Sequence, residues 1–289
     1  MISPPVAVTK TLSSFLIGFP PSVRSSAVAE AQRRLQVIPV EPLPPHCPVV
    51  YLPGIDGTGR LLLRQMDLYR YHDVHCVSYP QDSHHTYDDL VALGLQKLHH
   101  TGPAIVLAES FGGAVALLVA LQQPKLIRRL VLVNSFAYYP RRLVIDLLAR
   151  LGRWLPNRPA PESTRSLRGY FFFSSQTPRT EQDLWWNLTA DVPLQAYGRR
   201  LQLIASLDLR PRLSELEIPT VVFVSPDDWI VPPAAGRALA RRLPCAKLIE
   251  LRASHAAMID PRVNVAVWLH DPRIWNPAAS PQPFRPRSR

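Results

Sequence analysis

Cysteine is scarce in this 289-residue chain, and lysine is scarcer than arginine. The three cysteines, Cys47, Cys76 and Cys245, lie far apart without any C-x-x-C spacing. An odd and sparse set of this kind excludes a disulfide scaffold and favours a reducing compartment. The net charge of +11 comes mainly from dispersed arginines, which is typical of proteins that meet anionic surfaces and also of chains with biased arginine usage.

Long apolar runs are also missing from the chain. No stretch approaches the roughly 20 apolar residues that a membrane-spanning helix needs. The apolar patch at 15–19 is short and lacks the regions that define a signal peptide. We therefore expect a cytoplasmic protein, and the arginine excess leaves open a peripheral contact with a membrane of anionic lipid.

Motifs for three classes of ligand, namely nucleic acids, nucleotides and metals, are absent as well. No basic run is interleaved with aromatic residues, so we expect no nucleic-acid partner. The glycine-rich segment at 52–60, L-P-G-I-D-G-T-G-R, lacks both the G-K-[ST] of a Walker loop and the spacing of a dinucleotide loop. His72, His75 and Cys76 have no second cluster of ligands to complete a metal site. We expect neither a cofactor nor a metal.

The chain does contain a regular alternation of apolar runs and helical patterns. Strands are predicted at 49–52, 74–78, 104–108, 130–133, 220–225 and 247–251, and helices at 60–68, 87–99, 112–122, 234–242 and 261–270. Continuous apolar strands that alternate with helices are typical of a parallel sheet covered on both faces. The sequence therefore predicts an α/β fold with a mostly parallel central sheet.

This alternation is interrupted between residues 137 and 205. The interval contains predicted helices at 141–154 and 181–189, together with the aromatic run Y-F-F-F at 170–173. It is too long for a simple connection, so we interpret it as an inserted helical cap or lid. The aromatic residues are consistent with a site for a lipophilic substrate and equally with packing of the cap onto the body.

The remaining residues divide into a core and two flanking segments. The core is predicted to comprise residues 47–136 and 206–275. Residues 1–46 are rich in proline and are expected to form an N-terminal arm with an edge strand at 37–40. The proline- and arginine-rich residues 276–289 are expected to form a loose basic tail.

A single serine lies on the turn between the third predicted strand and the helix after it. Ser110 stands in the segment L-A-E-S-F-G-G, where a tight elbow would expose its hydroxyl to a base and a substrate. Ala108 and Gly112 are small, as such an elbow requires. The serine also precedes the amino-terminal end of the predicted helix, where the helix dipole places partial positive charge. The alternative interpretation is a serine that only caps the helix.

An acid and a histidine follow the serine in the order that an elbow-borne nucleophile requires. Asp228 lies in S-P-D-D-W-I-V-P directly after an apolar strand and is favoured over Asp227 by its D-x-x-V-P context. His255 lies in A-S-H-A-A after the next strand and would act as general base, oriented by Asp228. Alternatively, one aspartate caps the next helix and the histidine is an ordinary surface residue.

Two backbone amides are predicted to form an oxyanion hole. One is the N–H of Phe111, directly after the serine. The other is the N–H of Ile55, in the glycine-rich loop L-P-G-I-D-G-T-G after the first clear strand, where glycines allow a substrate to approach the backbone.

These motifs together resemble those of the α/β-hydrolase superfamily over about residues 47–270. The esterase, lipase and thioesterase branch is most similar. More narrowly, P-G-I-D-G-T-G with E-S-F-G-G is similar to the hydrolase portion of the plastid phytyl ester synthases, which are diacylglycerol acyltransferase-like, and their cyanobacterial relatives. The resemblance implies an α/β-hydrolase fold in which Ser110, Asp228 and His255 match the catalytic triad.

Three positions depart from the family pattern. Ala108 replaces the first glycine of the elbow, Pro53 replaces the histidine of the oxyanion loop, and Ser254 precedes the histidine where glycine is common. None of these departures removes a reacting group.

Three functional hypotheses follow. The leading one is a serine hydrolase of the esterase, lipase or thioesterase type that cleaves a lipophilic carboxylic ester or thioester through an acyl-enzyme. The second is an acyltransferase that moves a fatty acyl group to an alcohol such as phytol or diacylglycerol in lipid metabolism. The third is a hydrolase fold used only for binding, against which the complete set of reacting residues argues.

Overall fold

The computed structural model describes residues 43–44, 46–173 and 175–275. Most of the expected N-terminal arm, the edge strand at 37–40 and the basic tail at 276–289 lie outside these residues.

Six strands form one parallel sheet in the described part of the chain. They are β1 (His46–Leu52), β2 (His72–Cys76), β3 (Ala104–Glu109), β4 (Ile127–Val133), β5 (Thr220–Val224) and β6 (Ala246–Glu250). Their order in the sheet is β2-β1-β3-β4-β5-β6, and each neighbouring pair is parallel. This confirms the predicted sheet. Because the strands are parallel, all of their carboxyl ends lie along one edge, where the loops that carry the candidate residues begin.

The described part of the chain contains ten α-helices, six of which cover the two faces of the sheet. They are α1 (Met66–Tyr71), α2 (Tyr87–Thr101), α3 (Phe111–Gln122), α4 (Arg142–Gly152), α5 (Arg165–Phe172), α6 (Arg179–Leu188), α7 (Leu194–Ser206), α8 (Pro233–Arg242), α9 (Val265–His270) and α10 (Pro272–Trp275). Helices α2, α3 and α8 contribute to one apolar core, and α1, α9 and α10 contribute to a second one. None of the helices within the described ranges is long and apolar enough to cross a membrane.

Alternation along the strands separates these two cores. Val106 and Ala108 of β3 point into the first core, whereas Ile105 and Leu107 point into the second. Successive side chains of a strand point to opposite faces, so a strand covered on both sides must be apolar throughout. This is why β3 contains no alternating polar residues.

Two predicted helices differ from the observed ones. The predicted helix at 60–68 is a 3₁₀ helix at Arg60–Arg64 followed by α1, with Gln65 between them. The amide of Gln65 donates to two carbonyls of the 258–263 segment, and this side chain therefore holds the break in place. The predicted helix at 261–270 begins only at Val265, because the side chain of Asn264 caps it by accepting the N–H of Val267 at 3.2 Å.

Four helices, α4 to α7, lie between β4 and β5. Two of them overlap the predicted helices, but α5 and α7 were missed. Helix α5 contains Gly169 and a run of aromatic residues, and both features weaken a helical pattern. Helix α7 contains Gly198 and buries Arg200, whereas a hydrophobic pattern predicts that an arginine is exposed. The function of this segment as a cap remains a prediction.

Candidate active site

Ser110 occupies a strained backbone conformation at the amino end of α3. Its φ is 51° and its ψ is −118°, a combination that L-residues rarely adopt. The turn is tight because α3 lies against the end of β1, and a Cβ at Gly112 would meet the carbonyl oxygen of Leu52 at 2.2 Å. The requirement for a small residue at this position therefore has a direct steric cause. Strain of this kind is typical of a nucleophile elbow.

Asp228 and His255 form a buried hydrogen-bonded pair. Asp228 Oδ2 lies 2.7 Å from His255 Nδ1. The other carboxylate oxygen accepts the N–H groups of Ile230 and Val231 at 2.8 and 2.9 Å, which fixes the acid in its turn. Asp227 is exposed. Asp228 therefore organises its own turn and orients the imidazole, and Asp227 lies away from both of these contacts.

The surroundings of His255 favour its charged form. Burial alone lowers the pKa of His255, but the charge and hydrogen bond of Asp228 outweigh burial, and Glu109 adds to their effect. The pKa of His255 is therefore raised above its ordinary value. An imidazole that must act as a base has to be neutral first, so catalysis by His255 would increase with pH through this raised pKa.

The structure places Ser110 and the Asp228–His255 pair at the same edge of the sheet, after β3, β5 and β6 respectively. Within the described ranges the Ser110 hydroxyl forms no hydrogen bond with His255. Hydrogen bonds between a nucleophile and its base are often long in a free enzyme and tighten when substrate binds. Of the three candidate residues, Asp228 and His255 are therefore the two that are hydrogen-bonded to each other in this structure.

The glycine-rich loop after β1 lies next to the serine. A Cβ built on Gly54 would be 3.7 Å from the Cβ of Ser110, so Ile55 follows a residue in contact range of the nucleophile. Phe111 is the first residue of α3, and the first amides of a helix have no carbonyl partner within it. Both predicted amides therefore belong to segments that border Ser110.

Arg200 holds the glycine-rich loop and was not among the predicted site residues. Its guanidinium is fully buried and donates to the carbonyls of Ile55, Asp56 and Pro80 at 2.8, 2.9 and 2.7 Å. The loop fits around it because Gly57 has a φ of 69° and no Cβ, which would lie 2.5 Å from the guanidinium. A helix of the β4–β5 segment thus supports a loop of the sheet. One arginine among many carried no signal for this role.

Asn134 links the acid loop to the histidine loop and was also missed. Its side-chain amide donates to Ser225 Oγ at 3.0 Å and to the carbonyls of Ser254 and His255 at 3.2 Å. Its side-chain oxygen accepts the N–H of Ser225 at 2.8 Å. The backbone φ is 47°, a region in which asparagine is favoured among non-glycine residues. An asparagine directly after β4 was the available signal.

Glu109 is a buried carboxyl directly before the serine. Its side chain accepts the hydroxyl of Tyr51 at 2.7 Å. Burial raises the pKa of Glu109 to about 7, against the opposing effect of this hydrogen bond. Glu109 therefore titrates near neutral pH. Glu109 was not among the predicted site residues, because a glutamate at the end of a strand gives no indication of its burial.

Aromatic side chains from the β4–β5 segment cover the histidine. The ring of Phe172 lies 5.9 Å from the imidazole of His255, measured between centroids, and its carbonyl accepts the N–H of Ala256. Phe172 in turn packs on Trp185 at 4.9 Å, and Trp185 packs on Trp186 at 4.6 Å. Phe172 is half-buried and both tryptophans are buried, so a packed aromatic cluster extends from the candidate base into α5 and α6. In the described part of the chain, no group of three or more acidic, histidine or cysteine side chains is arranged to hold a metal ion.

A parallel sheet with helices on both faces and a strained serine between a strand and a helix defines an α/β hydrolase. The comparison with protein families makes this more specific. The chain belongs to the family of the serine aminopeptidases, S33, whose sequence model matches residues 77–261. The matched range includes Ser110, Asp228 and His255. The narrower similarity to phytyl ester synthases remains a prediction.

Curated relatives are identical to the chain at about a quarter of the matched positions. A putative carbamate hydrolase RutD from Pseudomonas syringae pv. syringae (strain B728a) is 28% identical over 59% of this chain and 65% of its own length. A pimeloyl-[acyl-carrier protein] methyl ester esterase from Neisseria meningitidis (strain MC58) is 27% identical over 54% of this chain and 64% of its own. The chain thus matches less than two thirds of the length of these relatives.

Solved structures share the fold at low sequence identity. The enol-lactonase from Burkholderia xenovorans LB400 has a TM-score of 0.63 and 20% identity, over 75% of this chain and 86% of that one. A thermophilic esterase from Thermogutta terrifontis has a TM-score of 0.62 and 19% identity, over 74% and 84%. At such identities the likeness establishes the fold alone.

Proposed function

We propose that the protein is a serine hydrolase that cleaves a lipophilic carboxylic ester or thioester through an acyl-enzyme. The observation that carries the proposal is the buried Asp228–His255 hydrogen bond, at the sheet edge where Ser110 occupies its strained turn. These are the reacting groups of nucleophilic acyl transfer in the order that this fold requires.

The proposed reaction proceeds in two halves. Ser110 Oγ attacks the carbonyl carbon while His255 Nε2 takes its proton, and the N–H groups of Ile55 and Phe111 hold the oxyanion. The tetrahedral intermediate collapses to the acyl-enzyme, and His255 returns the proton to the leaving alcohol or thiol. Water then attacks the acyl-enzyme by the same steps and releases the acid. Asp228 keeps the imidazole in the required tautomer.

The aromatic surface around His255 supports a lipophilic acyl group. Phe172 lies half-buried beside the imidazole and packs on the buried Trp185, and apolar walls of this kind are typical of sites for apolar ligands. The names of the relatives also include an esterase, which supports an ester as substrate.

A labelling experiment tests the nucleophile. We expect a fluorophosphonate probe to label the folded protein stoichiometrically and Ser110→Ala to abolish the label. Ser163→Ala removes an exposed serine between β4 and α5 and serves as the matched control, which should label like the wild type. Absence of labelling in the folded wild type would refute the proposal and favour a binding function.

A chain-length series tests the substrate class. Hydrolysis of p-nitrophenyl esters and acyl thioesters should become more efficient from acetyl to medium-chain acyl groups, because longer chains bury more apolar surface. A preference for acetyl, or for an amino-acid p-nitroanilide, would overturn the lipophilic assignment. Repeating the assay with phytol and weighing free acid against phytyl ester separates hydrolysis from acyl transfer.

A further inference from the structure

Helix α4 buries only one narrow strip of its surface. Ile145, Ala149 and Gly152 are buried, and a Cβ at Gly152 would lie 2.8 Å from the Cα of Gly198 in α7. Residues at this spacing share one side of a helix. The backbones of α4 and α7 are therefore in close contact along this strip, and the opposite side of α4 points outward.

The outward side of α4 is unusually apolar. Leu143 is 88% exposed and Trp154, just after the helix, is 87% exposed. The α4 apolar face, as we call it, consists of these two residues with Val144, Leu147, Leu148 and Leu151, all of them exposed. Isolated exposed apolar residues need no explanation, but a contiguous set along one helix indicates an interaction surface.

Arginines border the α4 apolar face. Arg150 and Arg153 are exposed, and within the described ranges their side chains form no ion pair. Arg142, by contrast, lies 3.3 Å from the carboxylate of Asp146. A helix with leucine and tryptophan on one side and arginine beside them is typical of helices that lie in the plane of a membrane surface.

We propose that the α4 apolar face docks on the surface of a bilayer that contains anionic phospholipid. The leucines and Trp154 would enter the boundary between headgroups and acyl chains, and Arg150 and Arg153 would contact the phosphates. Insertion of apolar side chains and attraction of arginine to anionic lipid act together in such binding. The proposal is independent of the reaction at Ser110.

Charge favours an anionic lipid surface over two other possible occupants of the α4 apolar face, namely the terminal segments of this chain and a second copy of it. Residues 1–42 carry Lys10, Arg24, Arg33 and Arg34 against Glu30 and Glu41, and the tail at 276–289 carries arginine without any acidic residue. Neither segment complements the arginines beside the α4 apolar face. A second copy of the chain carries the same net charge of +11. An anionic lipid surface supplies the complementary charge that these occupants lack.

Vesicle sedimentation of the full chain tests the proposal. We expect binding to vesicles of phosphatidylcholine mixed with phosphatidylglycerol, little binding to phosphatidylcholine alone, and weaker binding at high salt. The double variant Leu143→Gln/Leu147→Gln should weaken binding at least about tenfold, because it removes two inserting side chains. Glutamine keeps the helix propensity close to that of leucine.

Matched variants control for general effects. Met66→Gln/Val267→Gln changes two exposed apolar residues of α1 and α9, and it should bind like the wild type. Arg150→Gln/Arg153→Gln should weaken binding to anionic vesicles about fivefold for each arginine. Arg241→Gln/Arg252→Gln removes the same charge at exposed positions of another region and should have a much smaller effect.

A photo-crosslink identifies the occupant directly. Leu147→p-benzoylphenylalanine, irradiated with anionic vesicles, should capture phospholipid. Capture of a second copy, or of a peptide from residues 1–42, would overturn the proposal. It would also be overturned by a wild type that does not sediment with anionic vesicles, or by a Leu143→Gln/Leu147→Gln variant that binds them unchanged.

Discussion

The sheet and the β4–β5 segment use apolar residues in different ways. The four central strands, β1, β3, β4 and β5, bury almost every side chain between two layers of helices, whereas α4 buries one strip and leaves its leucines exposed. The candidate reacting groups all follow strands of the sheet. The segment contributes residues that touch this site from outside, Arg200 under the glycine-rich loop and Phe172 beside His255. The loops that follow the strands therefore carry the candidate reacting groups, and the β4–β5 segment supplies side chains that support and surround them.

The largest loss of activity should come from a substitution at Asp228, which follows strand β5 of the sheet. Asp228→Asn keeps the size of the side chain but removes the charge that holds the imidazole in its tautomer, so kcat should fall about 10⁴-fold. Asp227→Asn, the exposed neighbour, should leave kcat almost unchanged. Steady-state kinetics on a p-nitrophenyl ester measures both variants. Similar losses in the two would show that Asp228 has no special role.

Arg200→Met should show how much the activity depends on the support that the β4–β5 segment gives to the glycine-rich loop. The variant leaves the carbonyls of Ile55 and Asp56 without their donor, so the loop would shift and kcat would fall about 10²- to 10³-fold with a smaller change in KM. Arg199→Met is the control, because Arg199 donates instead to His84 and His85. A variant that loses thermal stability but keeps kcat would reduce Arg200 to a structural role.

Glu109 should make the stability of the folded protein depend on pH. The folded pKa of about 7 lies above the ordinary value of 4.5, so between these pH values the folded state holds a proton that the unfolded state has released. The contribution of Glu109 to the free energy of unfolding is therefore fully present below pH 4.5 and is lost as pH rises to about 7, by roughly 2–3 kcal/mol. Urea unfolding across this range should show a decrease in stability with pH in the wild type, and Glu109→Gln should lose the part of that slope that Glu109 contributes. Glu217→Gln, at an exposed position, should keep the slope.

Gly198→Ala tests the packing inside the segment and should have the smallest effect. A Cβ at this position would meet the carbonyl oxygen of Gly152 at 2.2 Å, so α4 must move away from α7 at a cost of about 1–2 kcal/mol. At Gly169, in α5, the nearest atom to a new Cβ would be 3.5 Å away. Gly169→Ala should therefore be neutral or stabilising in the same unfolding measurement.

The strands were predicted well because their signal is local. Each of the six strands predicted between residues 49 and 251 overlaps an observed strand, and the central ones are apolar along almost their whole length because helices cover them on both faces. The boundaries of helices were predicted less well. The helix before β2 is interrupted at Gln65 by contacts with a segment almost 200 residues later in the chain, and no local pattern contains that information.

The β4–β5 segment was predicted only in part for a related reason. Helix α5 contains Gly169 and consecutive aromatic residues, and α7 contains a fully buried arginine. Both features contradict the rule that apolar residues mark the buried side of a helix. The tertiary structure explains both features, because Arg200 is buried against the glycine-rich loop and the aromatic run places Phe172 beside His255.

The amino-acid sequence by itself determined the parallel sheet and the places where Ser110, Asp228 and His255 leave it, because apolar runs and the turns that end them are local features. The tertiary structure alone decided which side chains support those residues. Arg200, Asn134 and Glu109 acquire their contacts and their burial from segments distant in the chain, and the outward direction of the α4 apolar face depends on its packing against α7. Burial and electrostatic environment arise from folding, so residue type alone does not reveal them.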